Sequence, residues 1–195
     1  AAIRQAQEKE KLLDELTVAS AQQAPSAEPF AALKSWLSTL PVTGRQPLLL
    51  QDPWLMQAHS HLEPIMAEGD HIVLPTRPDR VRVVNPQSQV CDVDFKPSRW
   101  AKHYLQACDQ VTAVDTAWLI QPDGQVSRLG VGDWNEQVQE SPAPGAWLWV
   151  PPRMLSDDLS ERVAKVLASQ RCTVVDESIL ATRCADRDAP LDGGH

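Results

Sequence analysis

Hydrophobic and polar positions alternate with two different periods along this chain. Across residues 2–19, Leu12, Leu13 and Leu16 form an apolar stripe among many charges, with Ile3 and Ala6 ahead of them, and the spacing predicts an amphipathic helix. QQAPSAEP (22–29) interrupts the pattern. A second helix is expected next, with Phe30, Leu33, Trp36, Leu37 and Leu40 on one face. Ser26 or Glu28 stands ready to open it, Pro29 suits its first turn, and Pro41 ends it.

Beyond Pro41 the period shortens. PLLL (47–50) reads as a buried strand, DPWLMQA (52–58) opens on an Asp-Pro turn, and His71 to Leu74 form a short strand between Gly69-Asp70 and Pro75. RVRVV (80–84) alternates basic with apolar, as in a strand with one buried face. QVCDVDF (89–95) alternates too, with Val90, Cys91, Val93 and Phe95 as its apolar members. PSRWAKHYLQAC (97–108) places Trp100, Tyr104, Leu105 and Cys108 at helical spacing, which predicts a helix of about three turns. AWLIQPDGQVSRLGV (117–131) is two apolar strands around a PDG turn, a β-hairpin. Ala146 to Val150 form a strand framed by prolines. In SDDLSERVAKVLASQ (156–170), Ser156 is a good N-cap, Asp157 and Asp158 complement the helix dipole, and Leu159, Val163, Val166 and Leu167 make an apolar stripe. A strand and a turn are expected over residues 172–184, and a frayed tail over 187–195.

Composition narrows the role. A formal charge of −8 and the absence of a basic run disfavour nucleic acid as a partner, because an acidic surface repels phosphate. The 16 prolines between patterned runs point to short elements joined by turns. No apolar run is long enough to predict a transmembrane segment. The charged, helix-like start does not read as a signal peptide. Four cysteines, at 91, 108, 172 and 184, form no CxxC pair and no zinc spacing, so neither a metal site nor a cofactor is expected. A disulfide between Cys172 and Cys184 would close a short segment; free buried thiols are the alternative.

From residue 80 to 150 the order strand, strand, helix, hairpin, strand predicts an α+β fold of β-grasp type, in which a mixed sheet buries its apolar face against one helix. An SH3-like or OB-like barrel competes, but the helix in mid-chain counts against it. The strands of residues 46–75 are too few to close a sheet of their own, so partner strands are expected upstream of Ala1 or in the second module.

SWLSTLPVTGRQPL (35–48), DPWLMQA (52–58), GDHIVLPTRPDRVRVV (69–84), AWLIQPDGQV (117–126), VGDWNE (131–136) and PAPGAWLWVP (142–151) follow one another in an order that resembles the GfcC-like capsule and exopolysaccharide family. The resemblance covers about residues 1–170. It implies a periplasmic protein encoded with group 4 capsule or related secretion genes. It also implies two tandem β-grasp domains that resemble modules of the outer-membrane polysaccharide exporter, and no enzymatic activity. Mapped onto this chain, residues 1–44 are a helical insertion, 45–78 the remainder of the first β-grasp domain and 79–152 the second. Residues 153–171 are then a C-terminal amphipathic helix that packs on the protein, and 172–195 an extension. The first strands of the first domain are missing from this chain, and a leader is taken to be removed or truncated.

The resemblance also makes Arg45, after Gly44, the family's central arginine. A guanidinium carries five donors in a fixed fork, which suits either a polar pocket for sugar hydroxyls or a plain tie between backbone carbonyls. Gly44 is expected to supply a positive φ or a close approach. Trp134 and Asn135 either line a saccharide groove or form a half-buried strand edge. Trp147 and Trp149, two residues apart, share one side of a strand and read as core or interface. The stripe Leu159, Val163, Val166 and Leu167 either docks on its own domain or meets a partner. His59, His61, His71 and His103 lack metal spacing.

No GxSxG, HExxH, P-loop or GxGxxG motif occurs. The sequence therefore predicts a non-catalytic periplasmic accessory protein for capsular polysaccharide or exopolysaccharide export. Its expected partners are outer-membrane export components, a lipoprotein or a β-barrel. The alternative is a module that binds polysaccharide directly through an Arg45 pocket and exposed tryptophans.

Overall fold

The computed structural model describes residues 1–22, 27–46, 53–59, 67–70, 76–108, 114–132, 134–135 and 140–170. The strands expected at 47–50 and 71–74, and the Cys172–Cys184 pair with the rest of the tail, lie outside these residues.

Helix α1 spans Ala2–Gln22 and α2 spans Glu28–Thr39. They pack together through Leu12 and Leu16 of one and Phe30, Leu33 and Leu37 of the other, the two stripes that the sequence predicts. The start of α2 differs from expectation. Ala27 is its N-cap and gives no side-chain hydrogen bond, while Pro29 supplies the fixed φ of the first turn. Leu40 turns extended, with ψ 136°, as a residue preceding proline must when the helix stops. PWLMQA, which the sequence marks only as a turn, forms a short helix, α3 (Pro53–Ala58).

Strands β1 (Arg80–Val84), β2 (Val90–Asp94), β3 (Thr116–Ile120), β4 (Val126–Gly130) and β5 (Trp147–Trp149) form one open sheet in the order β2-β1-β5-β3-β4. β1 and β5 lie parallel at the centre, and the other pairs are antiparallel. The hairpin β3–β4 falls on the predicted residues, with Ile120 opposite Val126 across the PDG turn. Among the described residues the sheet has two edges, β2 and β4, and does not close into a barrel.

Helix α4 (Ala101–Gln106) lies between β2 and β3 in sequence and is half the length that its spacing predicts. Ser98 takes φ 58° and Trp100 is extended, so the chain from Pro97 turns before it coils. The hydroxyl of Tyr104 fixes this turn: it accepts from the Lys96 N–H at 2.9 Å and donates to the Lys96 carbonyl at 3.1 Å. Cys108 lies just past the helix, where a disulfide joins it to Cys91 of β2. The sequence does not anticipate this bond.

The sheet is buried on both faces, where one face was expected. On one side, Val81, Val83, Ala117, Leu119, Leu129 and Leu148 pack against Ala101, Tyr104 and Leu105 of α4. On the other side, Val84, Trp118, Ile120, Trp147 and Trp149 meet α1, α2 and helix α5 (Asp157–Ala168). Arg82 belongs to this second side without being solvated. It pairs with Asp92, its cross-strand partner, through two hydrogen bonds of 2.9 and 3.0 Å, and lies over the Trp147 ring at 5.2 Å. α5 opens as the sequence predicts: the Ser156 hydroxyl accepts from the Leu159 N–H, and Asp157 and Asp158 occupy the first turn. Val163 and Leu167 are buried, with Leu159 and Val166 packed beside them, so the apolar stripe of α5 rests on the chain's own core.

Candidate functional site

Arg45 stands where the chain leaves α2, and three elements converge on it. Its Nη1 donates to the carbonyls of Gln170, at 2.9 Å, and Ala168, at 3.5 Å, while Nη2 donates to the carbonyl of Pro122 in the β3–β4 turn. The last carbonyls of a helix have no partner within it, and the helix dipole draws a cation to them. Arg45 therefore caps α5 and fastens it to the hairpin.

The backbone beneath Arg45 is clamped as well. The Gln5 side chain of α1 donates to the Arg45 carbonyl at 2.7 Å and accepts from the Gly44 N–H at 2.9 Å. Thr43 donates to the Ser169 carbonyl at 2.5 Å and accepts from the Arg45 N–H at 3.1 Å. Gly44 has φ +66°, and a Cβ there would lie 3.2 Å from the Cβ of Ala2, so both the turn and the approach of α1 favour glycine. Gln5 and Thr43 carry no sequence signal beyond being polar, and neither was singled out.

Beside Arg45 opens a cleft of about 560 Å³ between α1, α5 and the hairpin turn. Arg4, Lys9, Lys11, Arg162 and Lys165 join Arg45 along it, and Glu8 is the only carboxylate among its described lining. On a chain of net charge −8 this is a local concentration of positive charge. Many of these cations already have partners. Arg162 bonds Glu15, Lys165 pairs with Glu161 at 2.6 Å and Arg4 with Glu8 at 3.7 Å. Lys9 donates to the carbonyls of Ser38 and Leu40 at the end of α2. Burial lowers the pKa of Lys9, and the hydrogen bond from Arg162 holds the Glu15 carboxyl below its ordinary value. Such a surface offers donors and positive charge, which is chemistry for binding hydroxyls and anions.

Trp134 and Asn135 stand together at a second place and do not line this cleft. The Trp134 indole N–H donates to Asp115 Oδ1 at 3.0 Å, and the Asn135 amide donates to the Asp115 carbonyl at 2.8 Å. Asp115, which the sequence reading did not single out, is the hub of this loop. Trp134 is 79% exposed, so the half-buried strand edge is not what forms. Trp147 and Trp149 are core, at 6% and 0% exposure. Among the described residues no group of His, Cys, Asp and Glu could hold a metal ion, and no helix is long and apolar enough to cross a membrane.

Residues 89–172 match the family model described as Capsule biosynthesis GfcC C-terminal. Over this stretch the chain is GfcC-like. The chain is also similar to an uncharacterized protein, YjbG, of Escherichia coli strain K12, at 29% identity over 153 residues. That alignment covers 77% of this chain and 60% of the relative, so the chain spans less than two thirds of YjbG. The GfcC-like stretch holds both bonded cysteines, the Trp134 loop and α5, while Arg45 and Gly44 precede it.

Proposed function

We propose that this protein is a non-catalytic accessory factor in the assembly and export of capsular polysaccharide or exopolysaccharide. It works in the periplasm through contacts with outer-membrane export components. The observation that carries this reading is the match of residues 89–172 to a capsule-biosynthesis family. The Cys91–Cys108 bond supports the compartment, since disulfides persist in the periplasm and are reduced in the cytosol. Arg45 ties carbonyls, Arg82 pairs with Asp92, and Arg162 with Glu15, so these three cations hold the fold.

The architecture agrees with this reading. The sheet order β2-β1-β5-β3-β4, with a parallel central pair and a helix between its two hairpins, supports reading it as a β-grasp arrangement. We read residues 79–152 as one such module, with α1 and α2 as the helical insertion of a neighbouring module to which residues 45–78 belong. Mild crosslinking in cells, followed by capture of the tagged protein, should recover an outer-membrane lipoprotein or β-barrel of the export apparatus. A deletion strain that still displays its full surface polysaccharide, together with a capture that recovers neither component, overturns the reading.

A second reading, direct contact with the glycan, is favoured by the exposure of Trp134 and by the donor-rich cleft at Arg45. Arg45→Met tests the cleft. It should weaken the response of the protein to capsule fragments while leaving its crosslinks to export components intact; an undiminished response removes Arg45 from glycan contact.

A further inference from the structure

The loop that carries Trp134 is built to hold one aromatic ring still in water. Its anchor is Asp115: the backbone N–H of Val131 donates to the Asp115 carbonyl at 2.9 Å, and the Asn135 amide reaches the same oxygen. Asn135 closes the turn from the other end. Its Oδ1 accepts from the Gly132 N–H at 2.9 Å, and its own N–H donates to the Gly132 carbonyl at 3.1 Å.

No side chain fits at Gly130, and one at Gly132 would press on the polar ends that hold the loop. A Cβ on Gly130 would lie 2.2 Å from the Asn135 carbonyl oxygen, and one on Gly132 would lie 2.9 Å from Asp115 Oδ1 and 3.3 Å from Trp134 Nε1. The indole N–H bonds Asp115, and the ring stays 79% exposed. An indole that served only packing would be buried, because its apolar area is large. Here the hydrogen bonds of Asp115 and Asn135 and the close backbone approach at Gly130 orient a ring that covers little of its own chain.

We propose that this ring is a platform for a neutral pyranose unit of a polysaccharide, an inference that rests on the glycan-contact reading above. The surroundings select the ligand. A protein interface buries on the order of 800 Å² per partner around an apolar centre. The polar groups that the hydrogen bonds place beside Trp134 are a carboxylate and an amide. A sugar ring presents an apolar C–H face beside hydroxyls, which matches one flat indole next to an exposed carboxylate. Asp115 Oδ1 takes the indole proton, and the carboxylate retains lone pairs that can accept from a sugar hydroxyl. That same negative charge, on a chain of net charge −8, repels a uronate or a phosphorylated sugar, so the unit on the ring is neutral.

The test follows the indole N–H signals of the 15N-labelled full chain while neutral malto-, cello- and galacto-oligosaccharides, and separately an oligogalacturonate, are added. The Trp134 signal is the one of the seven that Trp134→Phe removes. It should move with at least one neutral oligosaccharide at a Kd of about a millimolar. Trp134→Ala should weaken binding tenfold or more, and Trp134→Phe should restore part of it. Neutral sugars that bind Trp134→Ala undiminished would place the glycan elsewhere and overturn this site, while glycan contact itself survives. A Trp134 signal that moves with oligogalacturonate alone overturns the neutral class. If no oligosaccharide moves any signal, the glycan-contact reading falls, and this site with it. If Trp134 responds only when a captured export component is added, the ring is a protein contact and the proposal is wrong.

Discussion

Among the described residues, three helices cover one face of the sheet and the six-residue helix α4 packs on the other. The three-helix face is closed by large side chains: Trp118, Trp147 and Trp149 from the strands meet Leu16, Phe30, Leu33, Val163 and Leu167 from α1, α2 and α5. The α4 face is lined mostly by valine, leucine and alanine, and its cover is short. There the chain adds a covalent bond, Cys91–Cys108, from β2 at the sheet edge to the end of α4. The difference teaches that area and cross-linking substitute for each other. Where little apolar surface is available to hold a helix down, fixing its end to the sheet restricts the unfolded chain instead.

Removing bulk from the well-covered face should have the largest effect. Trp149 is fully buried on the central strand, and Trp149→Ala should destabilise the protein by about 3–5 kcal/mol, read from urea denaturation. Trp149→Phe should cost far less, because the Trp149 Nε1–H has no hydrogen-bond partner among the described residues to lose. On the thinly covered face, reduction of Cys91–Cys108, or the double variant Cys91→Ser/Cys108→Ser, should remove about 3 kcal/mol. Amide exchange should then accelerate at Leu105 and Cys108 before it does in α5. A double variant whose α4 amides stay as protected as those of α5 would show that packing alone holds α4.

The smallest effect belongs to the rim of the helical layer. Arg162 lowers the pKa of Glu15 in the folded state from its ordinary 4.5. The unfolded chain therefore binds the proton more readily, and the contribution of Glu15 is present above its unfolded pKa and lost as pH falls through the folded one. Glu15→Gln should be slightly less stable than the unaltered chain at neutral pH and equal to it in acid. A gap between the two that persists in acid would assign the effect to packing.

The parts legible in the sequence were those in which period and punctuation agree. The β3–β4 hairpin has alternating apolar runs around PDG, and α5 has a capping serine, two acids and a stripe of period 3.6. α4 was overestimated because Trp100 and Cys108 continue its spacing, while the turn fixed by the distant hydroxyl of Tyr104 leaves no local mark. The second buried face was hidden by Arg82: an arginine in an alternating strand reads as solvated until its partner, Asp92, is known to lie opposite. Four cysteines allow three pairings, and nothing in their spacing selects 91 with 108. Arg45 was legible as a multiple donor. Its acceptors are backbone carbonyls of α5 and of the hairpin turn, which no side-chain pattern announces. Trp134 was legible as a candidate, but Asp115, which aims it, was not, because the two meet only once the hairpin has formed.

The parallel pairing of β1 with β5 has a consequence for how the molecule comes into being. Arg82 finds its parallel neighbour only at Trp147, so the middle of the sheet stays open until nearly the whole unit has been synthesised. Local hairpins can form earlier, but the central rung is laid last, and α5, which follows it in the chain, seals the assembly. A nascent chain of this design remains pliable for most of its synthesis and sets only when its final strand arrives.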